Sequence, residues 1–527
     1  METNEPNLTP LAQALVTAFE QKPLLNREPK ITVNRFVSAL ASGYEKIRNA
    51  MDIRDEEVVL RSAIERILKR RIILGGGGGK QIAGILIREL LWAKYFPDNT
   101  IPEALVLRVE EMIDLHLELK RRLVSQKKLP ESLITQWMYQ LLSSDISKLL
   151  NPKTDKEIMS NFMFQILHQK LNIKDDSEDN KNIQIFLAVR RAFARDDLAF
   201  LRYHLFKQIY GELSRENIDH VAETFTKAHE EMEKQLKYPL KEKIYLFVRK
   251  QTPIFFILED VLTSYQNSNI IAHITNKEEF SKAVYAACEI RYKSISSKVR
   301  TAIIRSVFFL LLTKVIFAYA IEGTYDRITY GKIMWNSLAL NIIIPPILMI
   351  VVSLFIRTPN QENSKRILNR INTILHDENP ELGSAKVLEL HPKTNRSLMT
   401  TSFALLWLLA FVISFGVVIY VLNKLQFNFV SQGIFVFFLT IVSFLSWRIN
   451  VTANMYKIED RQGLFTPFID FLFLPVIKVG MKLTDGISQI NILIFVFDFI
   501  IESPFKSIFN FFEQWFLYLH TKREDLG

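Results

Sequence analysis

The chain has 527 residues, 49% of them apolar, and its 39 phenylalanines are a conspicuous excess. The formal charge of +10 comes without a nucleic-acid recognition motif, and membrane proteins gather lysine and arginine on their cytoplasmic side in any case, so we expect no nucleic-acid partner. The single cysteine, Cys288, excludes a disulfide within the chain and metal sites built from several thiolates of one subunit.

The first part of the chain has the pattern of helices. Residues 1–30 carry scattered prolines and no basic segment followed by an apolar run, so we expect a loosely ordered tail and no cleaved signal peptide. In residues 31–174 apolar side chains recur at helical spacing, which predicts an all-α subdomain. The acidic stretch 175–182 is the predicted boundary, and residues 183–300 are predicted to form a second helical subdomain and a stalk.

Five consecutive glycines interrupt the first subdomain and are followed by Lys80. A phosphate-binding loop requires a further glycine where Leu74 stands and a serine or threonine where Gln81 stands, and it follows a strand rather than a helical segment. Unbroken glycine instead ends a helix and leaves the chain free to bend, so we favour a hinge. The predicted hinge residues are Gly75, Gly76, Gly77, Gly78 and Gly79.

The stalk leads into the first long apolar run. Asn276 is the expected cap of a helix that has no obvious stop before Lys314. If this helix has a break, its expected place is at Ser294, Ser296 and Ser297. An unbroken helix would join the second subdomain directly to the membrane.

Four apolar runs are long enough to cross a bilayer, which predicts a membrane domain over 303–447. Pro345 and Pro346 lie inside the second run and predict a kink there. A loop, 357–397, separates the second run from the third. The predicted spans are 303–321, 337–356, 400–422 and 429–447.

Basic residues flank these runs in alternation. They are frequent before the first run, in the loop 357–397 and after the fourth run, and they are sparse in the other two connections. Since lysine and arginine accumulate on the cytoplasmic side, the N-terminal domain, the loop and both termini are predicted to be cytoplasmic.

The last segment, 464–527, is apolar but interrupted. It fits either a pair of short spans or helices that are broken, half-inserted or interfacial. We favour the second interpretation, a membrane-associated amphipathic region, because charged residues and prolines divide the apolar stretches. The charged residues concerned are Asp470, Lys478, Asp498 and Glu502.

Lys314 is the first candidate for a functional residue, because it lies near the middle of the first run, where a charge is costly. Asp470, Asp498 and Glu502 are its candidate partners. Three interpretations stay open: an ion or proton path, a structural ion pair, and a lysine that reaches along the helix to the membrane surface.

The sequence thus predicts an all-α fold, in which a helical cytoplasmic domain precedes a polytopic membrane domain of about four spans with C-terminal amphipathic or half-inserted helices. No catalytic motif, cofactor fingerprint or metal-ligand spacing is present, so we predict a non-enzyme without cofactors. We expect a membrane-anchored scaffold or regulator with a protein partner. The alternative is a channel or transporter for ions, protons or small solutes. The oligomeric state stays open.

Overall fold

The structure is a computed structural model. The residues that it describes are 81% helical with almost no strands, which confirms the predicted all-α class. A helical domain comes first, and four candidate membrane-spanning helices follow it. The residues described are 8–20, 29–51, 56–75, 77–265, 269–380, 386–389, 396–458 and 466–488, together with Phe511, Trp515, Tyr518 and Leu519.

Amphipathic helices build the first part of the domain. Ile82, Leu86 and Leu90 of the fourth helix, spaced one turn apart, are fully buried in a core that they share with its neighbours. The helices are α1 (Pro10–Glu20), α2 (Arg35–Met51), α3 (Glu56–Gly75), α4 (Gly79–Trp92), α5 (Ala104–Ser125), α6 (Glu131–Leu150) and α7 (Thr154–His168).

The second part of the domain packs on the first through two further cores. One of them joins α5 and α6 to α8–α10, and the other joins α1 and α7 to α11. The elements are β1 (Leu171–Lys174), α8 (Glu178–Val189), a π-helical segment (Arg190–Ala194), α9 (Leu198–Tyr210), α10 (Ile218–Leu236), α11 (Lys241–Ser264) and α12 (Ile270–Thr275).

The remaining described elements form the membrane bundle and the connections between its helices. They are α13 (Lys277–Phe317), a second π-helical segment (Ala318–Gly323), α14 (Thr324–Tyr330), α15 (Trp335–Ser353), α16 (Gln361–His376), β2 (Lys386–Glu389), α17 (Arg396–Lys424), α18 (Phe429–Ala453) and α19 (Thr466–Ser488).

Four of these helical stretches are long and apolar enough to cross a membrane: the continuous stretch 277–330, α15, α17 and α18. They contain three of the predicted runs in full and residues 337–353 of the second, so the chain has the character of a multi-pass membrane protein. The first stretch is longer than its predicted span, because α13 begins at the predicted Asn276 cap, whose side chain accepts a hydrogen bond from the backbone N–H of Glu279 at 3.3 Å. It passes through Ser294, Ser296 and Ser297 without a break.

The loop between the second and third spans lies on the helical domain. Ile367, Ile371 and Ile374 of α16 are fully buried in the core that contains α7 and α11, and the backbone N–H of Thr9 donates to the carbonyl of Leu375 at 2.9 Å. Strand β2 pairs in parallel with β1, with Leu171 opposite Lys386. The domain and this loop therefore lie on the same side of the membrane bundle.

Helix α19 packs between α17 and α18. A Cβ atom on Gly480 would lie 2.0 Å from the backbone carbonyl oxygen of Thr440, so only glycine permits this approach. Because Thr440 lies near the middle of α18, α19 reaches the middle level of the spans. Asp498 and Glu502, and the side chain of Asp470, lie outside the described residues.

The glycine run lies between two helices, as predicted, although its last residue is packed closely. Gly75 ends α3, Gly77 and Gly78 connect the helices, and Gly79 begins α4; Gly76 lies outside the described residues. A Cβ atom on Gly79 would lie 2.1 Å from the carbonyl oxygen of Glu110. The close contact with α5 therefore requires glycine at position 79. This requirement is separate from the backbone freedom that consecutive glycines give the chain.

We predict that Gly79→Ala lowers the stability of the domain by about 1–3 kcal/mol, because the new methyl group forces α4 away from α5. Gly84→Ala, in the same helix, is the matched control: nothing lies within 4 Å of its Cβ position, and alanine there should add up to about 1 kcal/mol. Thermal unfolding of the two purified variants in detergent measures both effects. Equal melting temperatures for the two variants would contradict the close approach.

Candidate functional site

The strongest candidate site in the membrane bundle is built around Lys314. Its side chain is 0% exposed, whereas Leu311, Leu312 and Val315 beside it are exposed on the outer face of the helix. The lysine therefore points into the bundle and does not extend along the lipid-facing side. Its Nζ lies 4.6 Å from the centre of the Phe438 ring of α18, a cation–π contact.

The partner of Lys314 is Glu322. The Nζ atom of Lys314 lies 3.5 Å from Oε1 of Glu322, and the side chains of both residues are fully buried. The predicted partner Asp470 has no described side chain, and Asp498 and Glu502 lie beyond the described residues. The counter-charge of Lys314 therefore lies in the same continuous helical stretch, eight residues further along the chain.

The second π-helical segment explains why these two side chains meet. In a regular α-helix, residues eight apart are rotated by about 80° from each other. A π-helical turn contains more residues and therefore rotates the chain less per residue. Because Glu322 lies inside the π-helical segment 318–323, it turns toward the face that carries Lys314. Standard helical spacing does not reveal this pairing in the sequence.

Polar side chains from two other spans surround the carboxylate. The hydroxyl of Ser431 in α18 donates to Oε2 of Glu322 at 3.1 Å, and Asn341 of α15 interacts with the same carboxylate. The Nδ2 group of Asn341 also donates to the Ser431 carbonyl at 3.3 Å. The ion pair therefore holds α13, α15 and α18 together through one polar cluster inside an apolar bundle.

A second buried carboxylate lies one turn beyond the first. Asp326 accepts a hydrogen bond from Nδ2 of Asn428 at 2.8 Å and another from the backbone N–H of Met334 at 3.1 Å. These two contacts tie α14 to the start of α15 and to the cap of α18. Hydrogen bonds between charged and amide groups therefore connect the helices at the end of the bundle that is farther from the helical domain.

The other predicted membrane residues lie apart from this cluster. Lys478 of α19 is exposed, and its Nζ lies 5.0 Å from the centre of the Trp407 ring in α17. Pro345 and Pro346 are buried within α15 and remove two backbone donors, so the carbonyls of Asn341 and Ile342 lose their usual helical partners.

A second polar cluster connects the helical domain to the bundle. Arg291 of α13 binds Asp260 of α11 through two contacts, Nε to Oδ2 at 2.5 Å and Nη2 to Oδ1 at 2.6 Å. Its Nη1 donates to the hydroxyl of Tyr456 at 2.8 Å, just after the end of α18. A bidentate arginine–carboxylate pair fixes both distance and orientation, so this contact aligns three elements.

Asn363 of α16 completes this cluster. Its Nδ2 group donates to the Tyr292 hydroxyl at 2.7 Å and to the Tyr456 carbonyl at 2.8 Å, while its Oδ1 accepts from the backbone N–H of Ile458 at 2.8 Å. We call Asp260, Arg291, Tyr292, Asn363 and Tyr456 the joint. It connects the domain, the stalk, the loop helix and the end of the fourth span.

Glu259 lies beside the joint. Burial raises the pKa of this carboxyl to about 7, and the neighbouring Asp260 carboxylate acts in the same direction, whereas Lys156 and Arg291 oppose the shift. The folded protein therefore holds a proton on Glu259 that the unfolded chain releases at lower pH.

No family model, curated protein or solved structure matches this chain. Among the described residues, no group of three or more histidine, cysteine, aspartate or glutamate side chains is arranged to hold a metal ion. Any functional assignment therefore rests on the chain's own geometry.

We predict that Lys314→Met and Glu322→Gln each destabilise the bundle by about 3–5 kcal/mol, because each leaves one buried charge unpaired. The double variant should lose far less stability than the sum of the two single-variant losses. A double-mutant cycle of unfolding in detergent measures the coupling. The exposed pair Glu278 and Lys282 is the control, with an expected effect of at most about 1 kcal/mol. Additive losses at Lys314 and Glu322 would contradict the pairing.

We predict that Glu259→Gln raises the melting temperature at pH 8 but leaves it nearly unchanged at pH 4.5. The unfolded chain ionises Glu259 near its ordinary pKa of 4.5 and the folded protein only near 7, so the wild type loses stability as pH rises through this window. The difference in melting temperature between variant and wild type should grow as the pH rises through about 7 and then stay constant. Glu278→Gln, on the exposed start of α13, is the control, and a pH-independent difference at Glu259 would contradict the account.

Proposed function

We propose that this membrane protein works without catalysis, as a membrane-anchored scaffold or regulator whose helical domain binds a protein partner on the cytoplasmic side. The observation that supports the proposal is the way in which the domain is fixed to the bundle. Helix α13 continues from one into the other, and a single apolar core contains Val284 of the stalk, Ile371 of the loop and Phe438 of the fourth span.

This attachment suits a scaffold or regulator. A domain on a flexible linker would place a bound partner at no defined position. Here the joint and α13 restrict the domain to one orientation relative to the spans, so a partner would be held at a defined place above the membrane. Through the same contacts, a conformational change of the domain on binding of a partner would be transmitted to the spans.

The proposed orientation of the chain in the membrane rests on the distribution of basic residues and on the side of the bundle that carries the helical domain. The domain, the docked loop and the end of α18 share one side of the bundle, which is the side that is rich in lysine and arginine. The positive-inside tendency supports a cytoplasmic position for this side. A reporter protein inserted after residue 330 should accordingly report the opposite side from one inserted after residue 380.

Purification of the tagged full-length chain from its native membranes should recover one protein at about one copy per chain, as measured by quantitative mass spectrometry. A tagged unrelated four-span protein controls for binding to detergent and resin. Recovery only of substoichiometric proteins that also appear in the control would contradict the proposal, because a scaffold or regulator needs a stoichiometric partner.

A second candidate function, an ion or proton path, is favoured by the buried Lys314–Glu322 pair and the polar groups around it. Intramembrane charges that face the interior of a bundle commonly mark such paths. Proteoliposomes containing the wild type should then conduct, and Lys314→Met should change the flux, whereas Lys282→Met on the exposed stalk should not. Absence of flux in the wild type would exclude this function.

A further inference from the structure

Two arginines lie where α13 enters the membrane bundle from the side of the helical domain. Arg300 belongs to α13, and Arg357 belongs to the connection from α15 to α16; both side chains are exposed. The hydroxyl of Ser296 donates to Oγ1 of Thr358 at 3.2 Å, so this connection lies directly against α13. Arg357 precedes Thr358, and Arg300 follows Ser296 by one helical turn on the same face of α13. The two arginines therefore lie beside the same contact.

Neither of these arginines has a counter-charge in the protein. Among the residues that the structure describes, no side chain or carbonyl forms a hydrogen bond or an ion pair with either guanidinium group. The acidic residues nearest to them along the chain are Glu289 and Glu362. Glu289 binds Lys293 at 2.7 Å, and Glu362 binds Arg366 at 2.6 Å, so both carboxylates already have a cation beside them. The surface at the two arginines is therefore positively charged.

An exposed tryptophan indicates the depth of this surface in the membrane. Trp447, near the end of α18, is 41% exposed, and tryptophan is enriched at the interface between the bilayer core and water. Arg291 of α13 contacts Tyr456 just after α18. Counted from that contact, Arg300 and Trp447 each lie nine residues further toward the spans. They therefore lie at about the same depth, which is the depth of the lipid headgroups.

Exposed apolar side chains extend this surface toward the middle of the membrane. Ile304 follows Arg300 by one turn of α13 and is 58% exposed. Leu354 and Phe355 precede Arg357 at the end of α15, and each of them is 76% exposed. Positive charge at headgroup depth with apolar side chains below it complements a phospholipid that carries a net negative charge, because its phosphate lies above two apolar chains.

We propose that Arg300 and Arg357 bind the phosphate of an anionic phospholipid, whose acyl chains lie along Ile304, Leu354 and Phe355. Guanidinium groups bind phosphate oxygens through pairs of parallel hydrogen bonds, and basic sites between membrane helices bind lipid headgroups. A soluble phosphate ester would gain nothing from the apolar side chains, so the lipid is the better occupant. The lipid would hold the connection to α16 against α13 whether or not the helical domain binds a protein partner.

Native mass spectrometry of the full-length chain tests this site. From mixed micelles with equal amounts of phosphatidylcholine and phosphatidylglycerol, the wild type should retain phosphatidylglycerol preferentially and in a saturable way. Arg300→Gln/Arg357→Gln should weaken this retention by about tenfold or more, because it removes two cations at headgroup depth. Glycerol phosphate at the same concentration should not displace the lipid, because it lacks the acyl chains. In phosphatidylcholine alone the variant should melt at the wild-type temperature, since neither arginine has a partner in the protein.

Lys127→Gln/Lys128→Gln is the matched control. It also removes two exposed positive charges, but they lie just after α5, a helix whose cores contain no membrane span. This control should retain phosphatidylglycerol within about twofold of the wild type. The site would be overturned by wild-type retention in the arginine variant, by an equal loss in the lysine control, by displacement with glycerol phosphate, or by a lower melting temperature of the arginine variant in phosphatidylcholine.

Discussion

The contact between Arg291 and Asp260 connects the two parts of this molecule. Helix α13 carries Arg291 at the level where the helical domain meets the spans, and the bidentate pair fixes α13 against α11. The same arginine reaches Tyr456 after the fourth span, and Asn363 attaches the loop helix to that tyrosine. These polar contacts add fixed distances and directions to the apolar core that α11, α13, α16 and α18 share.

The Lys314–Glu322 pair has a comparable role deeper in the bundle. Association of apolar helices in lipid gains little from the hydrophobic effect, because the lipid is as apolar as the side chains. A buried ion pair with serine and asparagine neighbours supplies specific contacts instead, and these contacts favour the observed arrangement of α13, α15 and α18. Such a cluster stabilises that arrangement chiefly by making others costly, because separation of the helices would leave charges without partners.

The sequence predicted the large features because they depend on local patterns. Length and apolarity located the four spans, and the Asn276 cap located the start of α13. It did not reveal the parallel pairing of β1 with β2, since strands of four residues more than 200 positions apart leave no periodic signal. The partner of Lys314 was also missed, because the π-helical segment brings Glu322 onto its face outside the usual spacing. The joint depends on residues from four distant segments, which one sequence cannot bring together.

The helical domain and the membrane bundle form one body, and a distance measurement between them tests this most directly. With the buried Cys288 replaced by serine, spin labels at Lys234 of α10 and Arg448 of α18 report that distance by pulsed electron resonance in nanodiscs. A single narrow distribution is predicted for the intact joint, and Arg291→Met should broaden it. A broad distribution in the protein with an intact joint would contradict the account.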